Sequence, residues 1–369
     1  MPVCYFSRVL ARHYTEAGLI EKAVSFWRTA GQRSLARSAL LEGAQQIKRA
    51  LDQIATLPAT PALRREEIKL QVAFANALAL TGNPVNGKEH YDRALAIYDP
   101  AEHRPLTTRS GRDIRVALLA TRSGCVWLLG YPAASLNDGE RALKNARETG
   151  QATTMFKALH QASFNCTMCG HYAAANAHAD ELVALADERG ATYWKALGTV
   201  ERGSVLALTG KGSDAVQTIT SALASLRSTA ATLYEPYYLQ YLARAYAELG
   251  QPDDARRCIG DAIDKVEMSK EKWCEAEVHR IAGEVELKSP ALDPEKAEAY
   301  FDRALVVARQ QQAKSWELRA AVSLARLWRD QGKVQQARDL LAPVYGWFTE
   351  GFDTLDLKEA KALLEQLAT

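Results

Sequence analysis

The sequence predicts an all-α solenoid, a superhelix of about eight or nine helix hairpins with a C-terminal capping helix, and three observations lead there. Gly130, Gly170, Gly210 and Gly250 stand forty residues apart, each after one apolar helical run and before another. A period of roughly 20 to 50 residues is the mark of stacked repeats. Five residues after three of these glycines comes an alanine (Ala175, Ala215, Ala255), and twelve after all four comes a small or apolar residue (Ala142, Leu182, Ala222, Ala262). Glycine ends a helix at positive φ without penalty, and alanine lets two helix backbones cross closely. No run of alternating apolar and polar residues appears, so no strand is expected.

The elements follow in order. Residues 3–16 form a helix that turns at Gly18 into a second over 21–30, with Ala11, Tyr14, Ala23, Trp27 and Ala30 at packing positions. A shorter pair spans 32–57 and is closed by the stretch from Pro58 to Pro61. The next runs over 64–80, turns at Gly82, continues through Tyr91, Ala94 and Leu95, and stops at Pro100. Residues 99–112, DPAEHRPLTTRSGR, are the longest polar loop and the expected hinge between the N-terminal repeats (1–98) and the regular array (113–345). After Gly250 the next turn falls at Ser289 and Pro290, followed by Ala297, Phe301 and Ala304. The last falls at Gly332, between Ala325 and Trp328 on one side and Ala337 and Leu341 on the other. Beyond Pro343 the helix is expected to break, and a capping segment (346–369) carries Leu357, Ala360, Leu364 and Leu367 at helical spacing, with Thr354 or Asp353 to cap it.

Composition narrows the function classes. Hydrophobic residues make up 47% of 369, enough for a continuous core, and proline is scarce at 12. The formal charge of +2 disfavours nucleic acid or a membrane surface as the main partner. Residues 1–50 nevertheless carry eight Lys and Arg against three Glu, a local balance of 8 − 3 = +5. Six unevenly placed cysteines suit reduced thiols, the start MPVCYFSRVLARHY lacks a signal-peptide core, and no run approaches the ~18 apolar residues of a membrane span. A cytoplasmic protein is expected.

These residues resemble the tetratricopeptide family, whose repeats place small residues where two helices cross, aromatics between them and glycine at the turn. The match is clear at Ala243, Tyr246, Gly250, Ala255 and Ala262, at Gly203, Gly210, Ala215 and Ala222, and at Ala11, Tyr14, Gly18, Ala23 and Ala30. It is poorer in the second repeat and at Gly82 and Gly87. The two ends, ARHYTEAGLIEKAVSFWRTAGQRSLARSAL and QQQAKSWELRAAVSLARLWRDQGKVQQARDLLAPVYGWFTEGFDTLDLKEAKALLEQLA, are similar to the C-terminal repeat region of bacterial proteins that join a class III adenylate or guanylate cyclase domain to an ATPase. The resemblance implies a right-handed superhelix and a regulatory part without its catalytic parts, with a cyclase or ATPase module among its partners.

Catalytic chemistry finds no support. A phosphate-cradling GxxxxGK[ST] loop is absent, and cyclase aspartates would need strands. No enzyme activity, cofactor or metal is expected. Cys166 and Cys169, with His160, His171 and His178 nearby, form the most chemical-looking cluster. A single CxxC at the C-terminal end of a helix favours packing over zinc or redox work, because the helix dipole there disfavours a thiolate. Phe156, Trp194, Tyr234, Trp273 and Trp316 recur at the start of successive repeats. They suit either a stacking ladder for a ligand or, the commoner case, the filling of repeat joints. Glu275 and His279, four apart, read as an exposed helix pair rather than a metal site.

The family's concave face, carried over residue by residue, implies groove positions at Tyr5, Arg8, Arg12, Lys69, Asn76, Trp127, Lys157, His160 and Phe164. Farther along it implies Tyr237, Gln240, Arg244, Glu277, Arg280, Glu284, Arg319, Arg326 and Arg329. Arginine beside tyrosine and tryptophan suits an acidic peptide. Tyr5, Phe6, Val9 and Leu10 open the first repeat directly and imply an N-terminal docking face, for a partner or for self-association. The resulting expectation is a non-catalytic scaffold for protein interaction or regulation in bacterial signalling. The alternatives are a ligand-sensing region of a cyclase or ATPase protein and a nucleic-acid-binding regulator.

Overall fold

A computed structural model describes residues 2–103, 113–229, 233–290 and 292–368, and every element within them is helical. The first helices are α1 (Pro2–Glu16), α2 (Ile20–Leu35), α3 (Leu40–Ile54), α4 (Pro61–Leu80), α5 (Pro84–Ile97) and a single turn, α6 (Pro100–His103). The regular array follows as hairpins α7 (Ile114–Leu128) with α8 (Pro132–Thr149), α9 (Ala152–Met168) with α10 (Tyr172–Glu188), and α11 (Thr192–Leu208) with α12 (Gly212–Ser228). Next come α13 (Glu235–Glu248) with α14 (Pro252–Ser269), α15 (Glu275–Lys288) with α16 (Pro294–Gln310), α17 (Lys314–Asp330) with α18 (Val334–Gly346), and the capping helix α19 (Leu355–Gln366).

The local signals translate directly. The turns at Gly170 and Gly210 adopt φ of 79° and 75°, conformations that a side chain resists. The crossing residues Ala175, Ala215, Ala255 and Ala262 are fully buried. Two boundaries differ from expectation. Residues 32–57 are not a helix pair: α2 continues to Leu35 and α3 stands alone. Gly31 is a close-approach residue rather than a helix end, since a Cβ there would meet Ile47 at 2.6 Å, and Ser34 is sealed against α3 by a 3.1 Å hydrogen bond to Gln46. At the other end α18 passes through Pro343 to Gly346. Pro343 and Asp339 both face solvent, so the carbonyl deprived of a partner is hydrated, while buried Leu341 and Val344 hold the last turn on the core. Thr354 takes the N-cap position of α19, yet its hydroxyl donates to the Gly351 carbonyl at 2.7 Å instead of capping. Most of the expected hinge, 104–112, lies outside the described residues.

The superhelix turns far enough to touch itself. The inner end of α7 meets α17, where the Ser315 hydroxyl donates to the Trp127 carbonyl and the two rings of Trp127 and Trp316 pack edge to face at 4.6 Å. The segment after α18 reaches back to the α7–α8 and α9–α10 turns. Glu350 accepts from the Ala134 amide at 2.9 Å, and Leu355 donates its amide to the Cys169 carbonyl at 3.3 Å. On the other side, the amides of Lys272 and Trp273 both donate to the Leu80 carbonyl.

Candidate functional site

Closure divides the inner face into two compartments. The C-terminal one, a cavity of about 150 Å³, lies between α13, α15, α17 and the start of α19. Its charges are paired. The Arg280 guanidinium donates to Glu277 at 2.6 and 2.7 Å, and also to Glu284. Arg319 stacks against the Trp127 and Trp316 rings at 5.1 and 5.2 Å and donates to Asp356 and to the Met168 carbonyl, each at 2.8 Å. Burial opposes both charges, but the surrounding carboxylates outweigh it and hold each guanidinium above its ordinary pKa. Arg326 reaches Glu359 at 2.8 Å, Arg329 reaches Gln366 at 2.7 Å, and Arg244 lies 3.7 Å from Glu248 and 3.9 Å from Glu284. Gln240 is 1% exposed, and neither atom of its amide has a partner. Tyr237 is fully buried and bonds Tyr241 at 2.6 Å, so it belongs to the core rather than to an open groove.

The other compartment is a cavity of about 490 Å³ between α4, α7 and α9, bordered by Trp194 and Tyr234. Asn76, Leu80, Thr121 and Tyr234 also border a smaller chamber of about 60 Å³ walled by Trp127, Phe164 and Trp273. Lys157, His160 and Phe164 share one face of α9 because their spacing is helical. Lys157 lines the larger space and His160 the smaller. His160 is 4% exposed, its Nε2 lies 3.5 Å from Glu201 and from the Tyr238 hydroxyl, and its Nδ1 has no partner. Burial, with Lys157 adding to it, pushes the His160 pKa down to about 3. Burial also pushes Glu201 up to about 8, against a 2.8 Å hydrogen bond from Tyr238. The contact therefore joins neutral partners and is not an ion pair.

A third space opens at the N-terminal end. Arg8, Arg12, Arg49, Glu16, Gln53 and Trp27 surround a cleft of about 580 Å³, with the Arg49 guanidinium 4.8 Å over the Trp27 ring. Lys69 is exposed and 3.8 Å from Glu66. Phe6 is 65% exposed and Val9 half-buried, while the Tyr5 side chain lies outside the described residues.

The remaining candidates are packed. Cys166 and Cys169 are buried, which pushes the Cys166 thiol up to about 11 and Cys169 further. Among the described residues no group of three His, Cys, Asp or Glu side chains is placed to hold a metal. Glu275 is not an exposed partner of His279: it is 6% exposed and lies 3.4 Å from Arg303 and 3.7 Å from Lys272, while His279 stacks on Tyr300. The recurrent aromatics form a chain from Phe156 through Trp194 and from Tyr234 through Trp273 to Trp316. Phe156, Trp273 and Trp316 are buried; half-buried Trp194 and Tyr234 face the larger cavity. Glu201, Tyr238, Asp356 and Glu359 escaped the sequence reading, because a lone acid on an amphipathic helix looks solvated until its distant partner is known.

No protein-family profile matches the chain, and no curated protein matches it in sequence. Among solved structures it is similar to a Rap protein complexed with competence and sporulation factor, with a TM-score of 0.57 and 13% identity over 100% of both chains. It is similar too to aspartyl phosphate phosphatase F from Bacillus subtilis, with a TM-score of 0.52 and 12% identity over 97% of this chain and 96% of that one. The apo quorum sensor NprR from B. thuringiensis gives 0.50 and 14% over 88% and 87%. At such identities the likeness establishes the fold: this is a tetratricopeptide-like helical solenoid. No helix of the described residues is long and apolar enough to cross a membrane.

Proposed function

We propose that the chain is a non-catalytic scaffold that binds an acidic segment of a partner protein in bacterial signalling. The N-terminal cleft carries this reading. Three arginines stand around one tryptophan there, with Glu16 as the only acid on its wall among the described residues, and Arg with Trp is the composition of protein-binding hot spots. The C-terminal cations predicted for the same role are matched by Glu277, Glu284, Asp356 and Glu359, so they contribute less to a basic groove. The similar Rap protein is named as complexed with a factor and NprR as a quorum sensor, which supports a regulatory setting. The resemblance of both ends to cyclase–ATPase proteins supports a partner of that kind. Exposed Phe6 extends the docking surface beside Arg8 and Arg12.

The test is titration of the full chain with a ten-residue Glu-rich peptide containing one Leu, followed by Trp27 fluorescence. Arg12→Glu with Arg49→Glu weakens binding at least tenfold, and Phe6→Asp weakens it less. Unchanged binding in the double variant defeats the reading. Equal or tighter binding of single-stranded DNA, with a steep salt dependence, would instead favour a nucleic-acid partner.

A further inference from the structure

The inner compartment between α4, α7 and α9 is separate from that cleft and has a chemistry of its own. At about 490 Å³ it falls within the roughly 300 to 1,000 Å³ typical of small-molecule sites, which are mostly apolar with a few placed polar groups. Leu35, Leu40, Val72, Val116 and Trp194 give it apolar walls. The adjoining chamber of about 60 Å³, walled by Trp127, Phe164 and Trp273, is several times the ~10 to 15 Å³ that a single water needs.

Two polar groups there are incompletely satisfied. Lys157 meets no carboxylate among the described residues, and its one hydrogen bond is a 3.5 Å contact to Gln161. The other charged side chain on the wall, Asp113, is occupied at the start of α7, where it accepts from the amides of Arg115 and Val116 at 2.8 and 3.1 Å. One turn after Lys157, the buried His160 has an Nδ1 without any partner. A half-buried ammonium without a counter-charge and a buried ring nitrogen without a hydrogen bond are both costly, and a ligand carboxylate supplies the counter-charge that the first of them lacks. We propose that this compartment binds a small monocarboxylate with an apolar body, its carboxylate on Lys157 and its hydrocarbon or aromatic part toward the Trp127–Phe164–Trp273 chamber.

Charge and shape select this class. One cation balances one negative charge, whereas a phosphate monoester would bring a second with nothing to meet it. An extended peptide would bury successive amides against Leu and Val walls. A single carboxylate asks only for Lys157, with Asn76 and Thr121 at the shared border of the two spaces. Burial draws the Lys157 pKa down to about 8, and an adjacent carboxylate raises it again. The inference goes beyond the scaffold reading by giving the solenoid a ligand input, and it can fail independently, because the peptide cleft and this compartment share no lining residue.

The test uses the full chain and two matched pairs of probes: octanoate with 1-octanol, and indole-3-acetate with its alcohol, tryptophol. Calorimetry and tryptophan fluorescence report binding. Each acid binds at least tenfold more tightly than its alcohol. Lys157→Met removes that preference while circular dichroism stays helical, and Lys157→Arg retains it. The proposal is overturned by equal affinity for acids and alcohols, by no binding of either acid at millimolar concentration, or by an unchanged preference in Lys157→Met. Tighter binding of a peptide ending in a free leucine carboxylate overturns it as well, in favour of a chain terminus as the occupant.

Discussion

Arg319 on α17 and Lys157 on α9 occupy groove positions derived from the same repeat pattern, and their surroundings differ completely. Arg319 lies between two tryptophans and donates to Asp356, Glu277 and a backbone carbonyl. Lys157 faces a cavity and touches Gln161. The difference arises from what closure delivers. The returning segment brings Asp356 and Glu359 to the C-terminal compartment, and it brings no acid to Lys157 among the described residues. A groove position thus fixes where a side chain points, while the distant part of the chain decides whether it is paired or available.

The comparison is broken most severely at its paired end. Arg319→Met strands Asp356 without its cation and leaves Glu277 to Arg280 alone, and should cost about 3 to 5 kcal/mol in urea unfolding, the usual loss when one member of a buried pair is removed. Next come two glycines with the same positive φ. A Cβ on Gly170 would meet the Leu355 Cβ at 2.4 Å, whereas one on Gly210 meets nothing within 4 Å. Gly210→Ala should cost about 1 kcal/mol from backbone strain alone, and Gly170→Ala about 1 to 3 kcal/mol more from overpacking. Equal losses would mean that the closing contact contributes nothing.

The Glu201 prediction concerns pH. Its folded pKa, about 8, lies above its ordinary 4.5, so its contribution to stability is fully present below pH 4.5 and is lost as pH rises through 8. Melting temperature should fall between pH 5 and pH 8, and Glu201→Gln, which keeps the acceptor for Tyr238, should flatten that fall. His160, lowered from 6.5 to about 3, acts in the opposite window and loses its contribution as pH drops below 6.5. The smallest effect is at Lys157. Its pKa is depressed from 10.5 to about 8, so at pH 7 the charge is carried at a cost, and Lys157→Met should stabilise the chain by about 1 kcal/mol, a figure reduced for its partial exposure. A loss of stability there would mean that the cation is already compensated.

What could be read from the sequence was local. Turn glycines and crossing alanines announce themselves because the interactions that select them lie within one hairpin. The helix expected over 21–30 runs on to Leu35 because Gly31, packed against Ile47, looks in sequence like a glycine that ends a helix. The family's pattern implied inner-face positions for Trp127, His160, Gln240 and Arg280 without their burial, which depends on other hairpins, through Trp316 for Trp127, Tyr238 for His160 and Ser323 for Arg280. Glu275 looked like a solvated charge because its partner Arg303 is 28 positions distant, and Glu201 drew no notice because its partner Tyr238 is 37 away.

The hydrogen bonds from Ser315 to Trp127 and from Ala134 to Glu350 span 188 and 216 residues. An open stack of hairpins frays from its ends, each unit answering only to its neighbours. Clasped at these points, the hairpins from α7 to α18 lose that independence: releasing α19 uncovers Arg319 and two inner turns at once, so opening becomes a collective event with a high threshold. Helices α1 to α3 lie outside the clasp. Amide hydrogen exchange should therefore divide the chain into a slowly exchanging ring that opens as one unit and a faster N-terminal arm, leaving the basic cleft free to adjust to its partner.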